Sequence, residues 1–201
     1  MSHRLAQTLA LIDQANQQDP NLVEFNGHQQ SKEYVYSLHM TRWLSTLEKN
    51  PSERMQIACR AQHLERWKIP RNTQPLGKKG YYQWRTACNA MHGERAAQIM
   101  AQCGYEQKEC EAVRLIISKR ELRADSDTQL LEDVACLVFL EKYFAEFYAQ
   151  NSDYEPEKWQ RIVSRTWAKM SIDARQHGLS LSHQLPLNLQ DLLASALASS
   201  V

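Results

Sequence analysis

Apolar residues recur at helical spacing along almost the whole chain, and no strict alternation lasts long enough to specify a sheet. That periodicity predicts an all-α fold. Leu5, Leu9 and Ile12 define a first helix over residues 1–16. Asp19-Pro20-Asn21 breaks it, and Phe25-Asn26-Gly27 reads as a continuing loop. A second helix starts near Ser31 and carries Tyr34, Leu38, Trp43 and Leu47. Asn50-Pro51-Ser52-Glu53 is a start signal for a third, with Asn50 as cap, Pro51 at the first helical position and Glu53 three residues on. Its apolar residues run from Met55 to Trp67, and it ends before Pro70.

Residues 71–80 read as a loop holding Pro75, Gly77 and Gly80. A fourth helix follows over 81–103 and stops at Gly104, and a fifth over 106–122. The sixth, near residues 127–148, is apolar all round, which places it centrally in a bundle. Pro156 opens a seventh with Trp159, Ile162, Val163 and Trp167, and a weaker helical stretch over 189–197 lies in a tail after Gly178. The expected organisation is a single helical domain over 1–201, with residues 1–30 an N-terminal helix and loop and residues 178–201 a C-terminal tail.

Hydrophobic residues make up 43% of the 201 and charged residues 23%, a globular balance. No window approaches the roughly 18 apolar residues of a membrane span, and the first helix lacks the pattern of a secretory signal. Cys59, Cys88, Cys103, Cys110 and Cys136 are odd in number and scattered, with no C-x-x-C pair. They read as free thiols of a reducing, cytoplasmic compartment.

Charge is balanced overall, 24 basic residues against 23 acidic, but not locally. From Arg60 to Arg85 there are seven basic residues and one acid, Glu65, leaving +6. Trp67 and Trp84 lie in the same stretch. The asymmetry points to an anionic ligand, most simply one bearing phosphate, and equally describes a solvated basic face. Nucleic acid is a weaker reading, because the patch is short and no binding motif accompanies it. Three histidines, His39, His63 and His92, sit at helical positions without metal-site spacing such as H-E-x-x-H. Glu132 and Asp133 lie in the first turns of the sixth helix, where the helix dipole favours acids.

Two resemblances accompany these residues. The order of His39, of His63 within residues 57–68, of His92 with Glu94, and of Asp133 within Leu131-Glu132-Asp133-Val134-Ala135-Cys136-Leu137 resembles the HD-domain phosphohydrolases. That resemblance implies an HD-domain-like helical bundle and a divalent metal (Mn, Ni, Co, Fe, Zn or Mg) on His39, His63 and Asp133. It implies hydrolysis of a small phosphorylated molecule or nucleotide. Glu65 or Glu94 would transfer the proton; Arg66, Arg71, Lys79 and Arg85 would hold phosphate, with His92 nearby. Leu64 stands where the superfamily's His-Asp pair has aspartate, and leucine supplies no ligand. The departure favours an alternative, a non-catalytic HD-like module that binds an anionic small molecule through His63, Arg66, Trp67, Arg71 and Arg85, with Trp67 or Trp84 stacking on a ring. The second resemblance is to domain-of-unknown-function family 4202. It is carried by Gln62-His63-Leu64-Glu65-Arg66-Trp67-Lys68-Ile69-Pro70-Arg71, by Gly80-Tyr81-Tyr82-Gln83-Trp84-Arg85 and by the segment from Leu131 to Glu141. It supplies a fold expectation and no activity.

Overall fold

A computed structural model describes residues 2–119, 124–183 and 185–198. It is mostly helical, as the periodicity predicts, and it divides into two compact units, Met1–Leu131 and Glu132–Val201.

In the first unit, α1 (His3–Asn16) is capped by Ser2, whose hydroxyl accepts from the Leu5 amide. The next segment corrects the all-α expectation. Leu22–Phe25 (β1) and His28–Ser31 (β2) pair antiparallel, with Val23 opposite Gln30 and Phe25 opposite His28. Asn26 and Gly27 both take positive φ, 52° and 78°, the backbone of a two-residue hairpin turn. The strands are four residues each, too short for alternation to register as a pattern.

Helix α2 (Lys32–Leu47) follows directly, and α3 (Glu53–Arg60) begins two residues later than its sequence signal. Ser52 is the cap rather than Asn50, because its hydroxyl accepts from the Met55 amide at 3.3 Å. Helix α3 also stops short of the expected end near Pro70. Residues after Arg60 leave the helix in a series of turns, Glu65 adopts left-handed backbone (φ 57°), and single 3-10 turns follow at Arg66–Lys68 and Arg71–Thr73. The left-handed step is held by Asn16 at the end of α1, whose Oδ1 accepts from the Glu65 amide at 3.1 Å.

Helix α4 (Lys78–Gln102) is the longest, and α5 (Gln107–Ser118) packs along it. A capping box formed by Glu106 and Glu109 starts α5. Lys119 closes it in left-handed backbone, and the expected extension to residue 122 lies outside the described residues. Leu5, Ile12, Met40, Leu44, Ile57 and Leu64 are fully or almost fully buried. The core of this unit therefore draws on α1, α2, α3 and the turn after α3.

Helix α6 (Ser126–Val138) runs across the boundary between the units. The single helix expected over 127–148 is widened in its middle: Phe139–Tyr143 is a π-helical turn, and the chain continues as α7 (Phe144–Gln150). The Phe144 amide donates to Phe139 O, so residues five apart share a face there. Phe139, Phe144 and Phe147 come together through that offset, with ring centroids 5.7 and 5.9 Å from Phe139.

In the second unit, α8 (Pro156–Lys169) brings Trp159 edge-on to Phe147 at 5.4 Å and close to Tyr148 and Tyr154. Residues around Gly178 are helical, not the start of a tail. They belong to α9 (Ile172–Ser182), and α10 (Leu187–Ala198) then packs on α8. Gly178 faces the ring of Trp167, where a Cβ would lie 2.9 Å from Cζ3.

Candidate functional site

The site grows from α2, from the turns after α3 and from one face of α4. On α2, Glu33 and Tyr36 are three residues apart, so both side chains lie on the buried face. On α4, residues 81, 84–85, 88 and 92 share a face by the same spacing. The turns of Ala61–Glu65 place His63 beside Glu33.

His63 is the hub. Its ring is stacked on Tyr36 at 3.8 Å, and its Nδ1 lies 3.1 Å from Glu33 Oε2. The Arg66 guanidinium, through Nη1, is 3.1 Å from Nδ1 and in direct contact with Nε2. Arg66 Nη1 meets both ring nitrogens and so lies over the imidazole face, and Nδ1–H facing the Glu33 carboxylate is the tautomer assigned to the ring. The result is a carboxylate–imidazole–guanidinium chain, with the His63 and Glu33 side chains 20% and 11% exposed.

Burial and the positive charge of Arg66, with Lys119, Arg85 and Lys32 adding to it, hold His63 well below the usual histidine range. Burial raises the Glu33 carboxyl, and Arg66, His92 and Lys32 oppose it. Arg66 also lies over Trp84 at 4.7 Å, and Trp84 is fixed by donating from Nε1 to Ile69 O at 2.7 Å. His92 is fully buried; its Nδ1–H donates to Leu64 O at 2.6 Å, and its ring lies 6.0 Å from that of His63. Leu64 itself is core. The position where the HD resemblance expects a carboxylate contributes a backbone carbonyl instead.

The structure thus gathers His63, Arg66, Trp84 and His92, with the charge of Arg85 reaching His63. Arg71 is occupied in its own loop, donating to Gln74 O and Pro75 O at 3.0 and 3.1 Å, and lies 6.0 Å from the Tyr81 ring, which Arg85 also approaches at 5.9 Å. Trp67 is half-buried, and Lys79 is exposed in the first turn of α4. That turn is held close to its loop: a Cβ at Gly80 would lie 1.9 Å from Pro75 O, so only glycine fits.

The other expected residues lie elsewhere. His39 sits edge-on to Phe25 at 5.6 Å. Glu65 is buried and ion-paired with Lys68 at 2.8 Å and Arg95 at 3.5 Å, which ties up both oxygens. Glu94 is exposed and accepts from Gln98 Nε2 at 3.3 Å. Asp133 belongs to the second unit, where Oδ1 accepts from the Ser171 amide at 2.8 Å.

Among the described residues, no three His, Cys, Asp or Glu side chains are grouped to hold a metal ion. The divalent ion implied by the HD resemblance does not fit these donors as they stand. His63 is committed to Glu33 and Arg66, and Leu64 supplies no carboxylate.

Sequence reasoning passed over Glu33, Tyr36 and Asn16. The signal for Glu33 was available, since an acid at 33 falls in register with Tyr36, Met40 and Leu44 on the apolar face of α2.

Among the described residues, no helix is long and apolar enough to cross a membrane. No curated protein and no solved structure matches the chain. A family model described as "Domain of unknown function (DUF4202)" matches residues 6–193. The match spans nearly the whole sequence and includes every residue of the His63 cluster, and the chain belongs to that family.

Proposed function

We propose that the first unit, with an HD-like arrangement of its helices, binds a small phosphate-bearing anion at Arg66 and Arg85 as a non-catalytic module. The observation that carries this reading is the position of Arg66. Its guanidinium lies between the Trp84 ring and a neutral His63, and Lys32 and Arg85 add positive charge. A half-buried arginine against aromatic and imidazole faces is a pre-positioned donor for a phosphate oxygen. Trp84 and the exposed Tyr81 offer faces to any ring the ligand carries.

The metal-dependent phosphohydrolase reading uses the same cations to hold a phosphorylated substrate, but places an ion on His39, His63 and Asp133. The commitment of His63 to Glu33 and Arg66 favours binding over turnover. Titration calorimetry with inorganic phosphate, sugar phosphates and nucleotides tests the proposal. Binding by wild type that weakens at least tenfold in Arg66→Ala supports it. Equal binding by Arg66→Ala, or hydrolysis dependent on added manganese, nickel or cobalt, overturns it.

A further inference from the structure

His92 carries a buried acceptor that the protein leaves unused. Its Nδ1–H donates to Leu64 O at 2.6 Å, which fixes the tautomer and leaves the lone pair on Nε2. Nε2 is buried and meets no hydrogen-bond partner among the described residues. A buried polar atom without a partner is costly, and an ordered water, an ion or a ligand group is what completes such an atom. Burial, with the nearby His63, holds the His92 imidazole down to about 3, so near neutral pH Nε2 accepts and does not donate. The groups charged toward it are Arg66 and Glu33, with His63 neutral between them. The site therefore combines cationic donors with one bare acceptor.

We infer that His92 selects, for the anion site, a phosphate group that still carries a proton. This rests on the anion-binding reading above. Arg66 and Arg85 take the charged oxygens, and the P–OH hydrogen is donated to His92 Nε2. Arg66 meets His63 through Nη1, and the other N–H groups of its guanidinium take the anion while that contact is kept. Sulfate matches phosphate in size and shape but has no proton to give near neutral pH. It would leave Nε2 as bare as before while taking its share of the arginines. A site built around a hydrogen bond rejects the analogue that lacks it more strongly than it rejects one of altered size. Inorganic phosphate and a phosphomonoester share this chemistry in their singly protonated forms.

The test is calorimetry near neutral pH, at matched ionic strength, with inorganic phosphate, glycerol phosphate and sulfate. Wild type is expected to bind inorganic phosphate or glycerol phosphate at least tenfold tighter than sulfate, and whichever of the two binds better names the source. His92→Leu is expected to bind phosphate and sulfate alike. Should His92→Leu fail to fold, the nitrogen resonance of His92 Nε2 in the wild-type protein gives the same answer. It should move from its bare position with phosphate and stay there with sulfate. Equal affinity of wild type for phosphate and sulfate, both lost in Arg66→Ala, removes the inference and leaves the anion-binding reading standing. A phosphate preference retained in His92→Leu removes it as well, as does an Nε2 resonance unmoved by bound phosphate. Absence of binding by any of the three anions removes both.

Discussion

The imidazole of His63 lies flat on the phenol of Tyr36, with centroids 3.8 Å apart and planes 11° from parallel. Stacking fixes the plane of the imidazole, and the plane fixes where its two nitrogens point. Helix α2 supplies both the floor, Tyr36, and the acceptor at the rim, Glu33. The turn after α3 supplies the histidine and the arginine. Removing the floor should loosen the whole chain of hydrogen bonds. Tyr36→Leu is expected to lower stability by about 1 kcal/mol from the lost ring pair. It should also broaden the His63 ring resonances, measured by chemical denaturation and by NMR.

The ion pair between Asp13 on α1 and Arg60 at the end of α3 is mostly buried, with side chains 22% and 12% exposed. Arg60 Nε and Nη2 donate to the two Asp13 oxygens at 2.5 and 2.6 Å, and Nη1 donates to Thr41 Oγ1 at 3.0 Å. Asp13→Ala leaves a guanidinium with part of its partners gone and little access to water. A loss of about 3 kcal/mol in a denaturant titration is expected. Exposed pairs such as Lys108–Glu106 should cost under about 1 kcal/mol when broken.

The buried histidines make stability depend on pH, and the sign follows from their direction. His92 is lowered from 6.5 to about 3, chiefly by burial. A lowered histidine contributes stability that is present above pH 6.5 and lost as pH falls through the folded-state value, because the unfolded chain takes the proton first. His63 acts in the same direction. Glu33 acts oppositely: its raised value stabilises below 4.5, and that contribution disappears as pH rises through the folded-state value. His92→Gln should therefore lose less stability than wild type on acidification from 6.5 toward 3, measured by denaturation at a series of pH values.

Gly80 admits no side chain, since Pro75 O occupies the space. Gly80→Ala should displace the first turn of α4 from its loop and cost about 1–3 kcal/mol. The local readout is faster amide exchange over residues 78–84, while α5 keeps its protection.

Gly178 presents a contest between two effects. Alanine within a helix is better than glycine by about 1 kcal/mol. Here its methyl would press on the rigid Trp167 ring, at 2.9 Å. Contact should win, so Gly178→Ala is expected to destabilise the second unit and to shift tryptophan fluorescence. A stabilised variant would show that the ring yields.

The positions of most helices were legible because local chemistry sets them. Apolar spacing marks α1, α2, α4, α5 and α8, Pro156 opens α8, and Gly104 follows the end of α4. Asn26-Gly27 was a legible turn whose strands were too short to announce themselves. The positively charged stretch and the histidines near it were also visible, because composition needs no folding to be read. Their arrangement was not. The end of α3 depends on Asn16, 49 residues away, accepting from Glu65 and holding it left-handed. Leu64 acts through its carbonyl, and Glu65 turns toward Lys68 and Arg95, roles that side-chain identity alone does not disclose. Sequence by itself determined the helical class and the location of charge, since propensity and periodicity act over a few residues. Tertiary structure decided which nitrogen faces which carboxylate, because directional hydrogen bonds between distant segments exist only once the segments have packed.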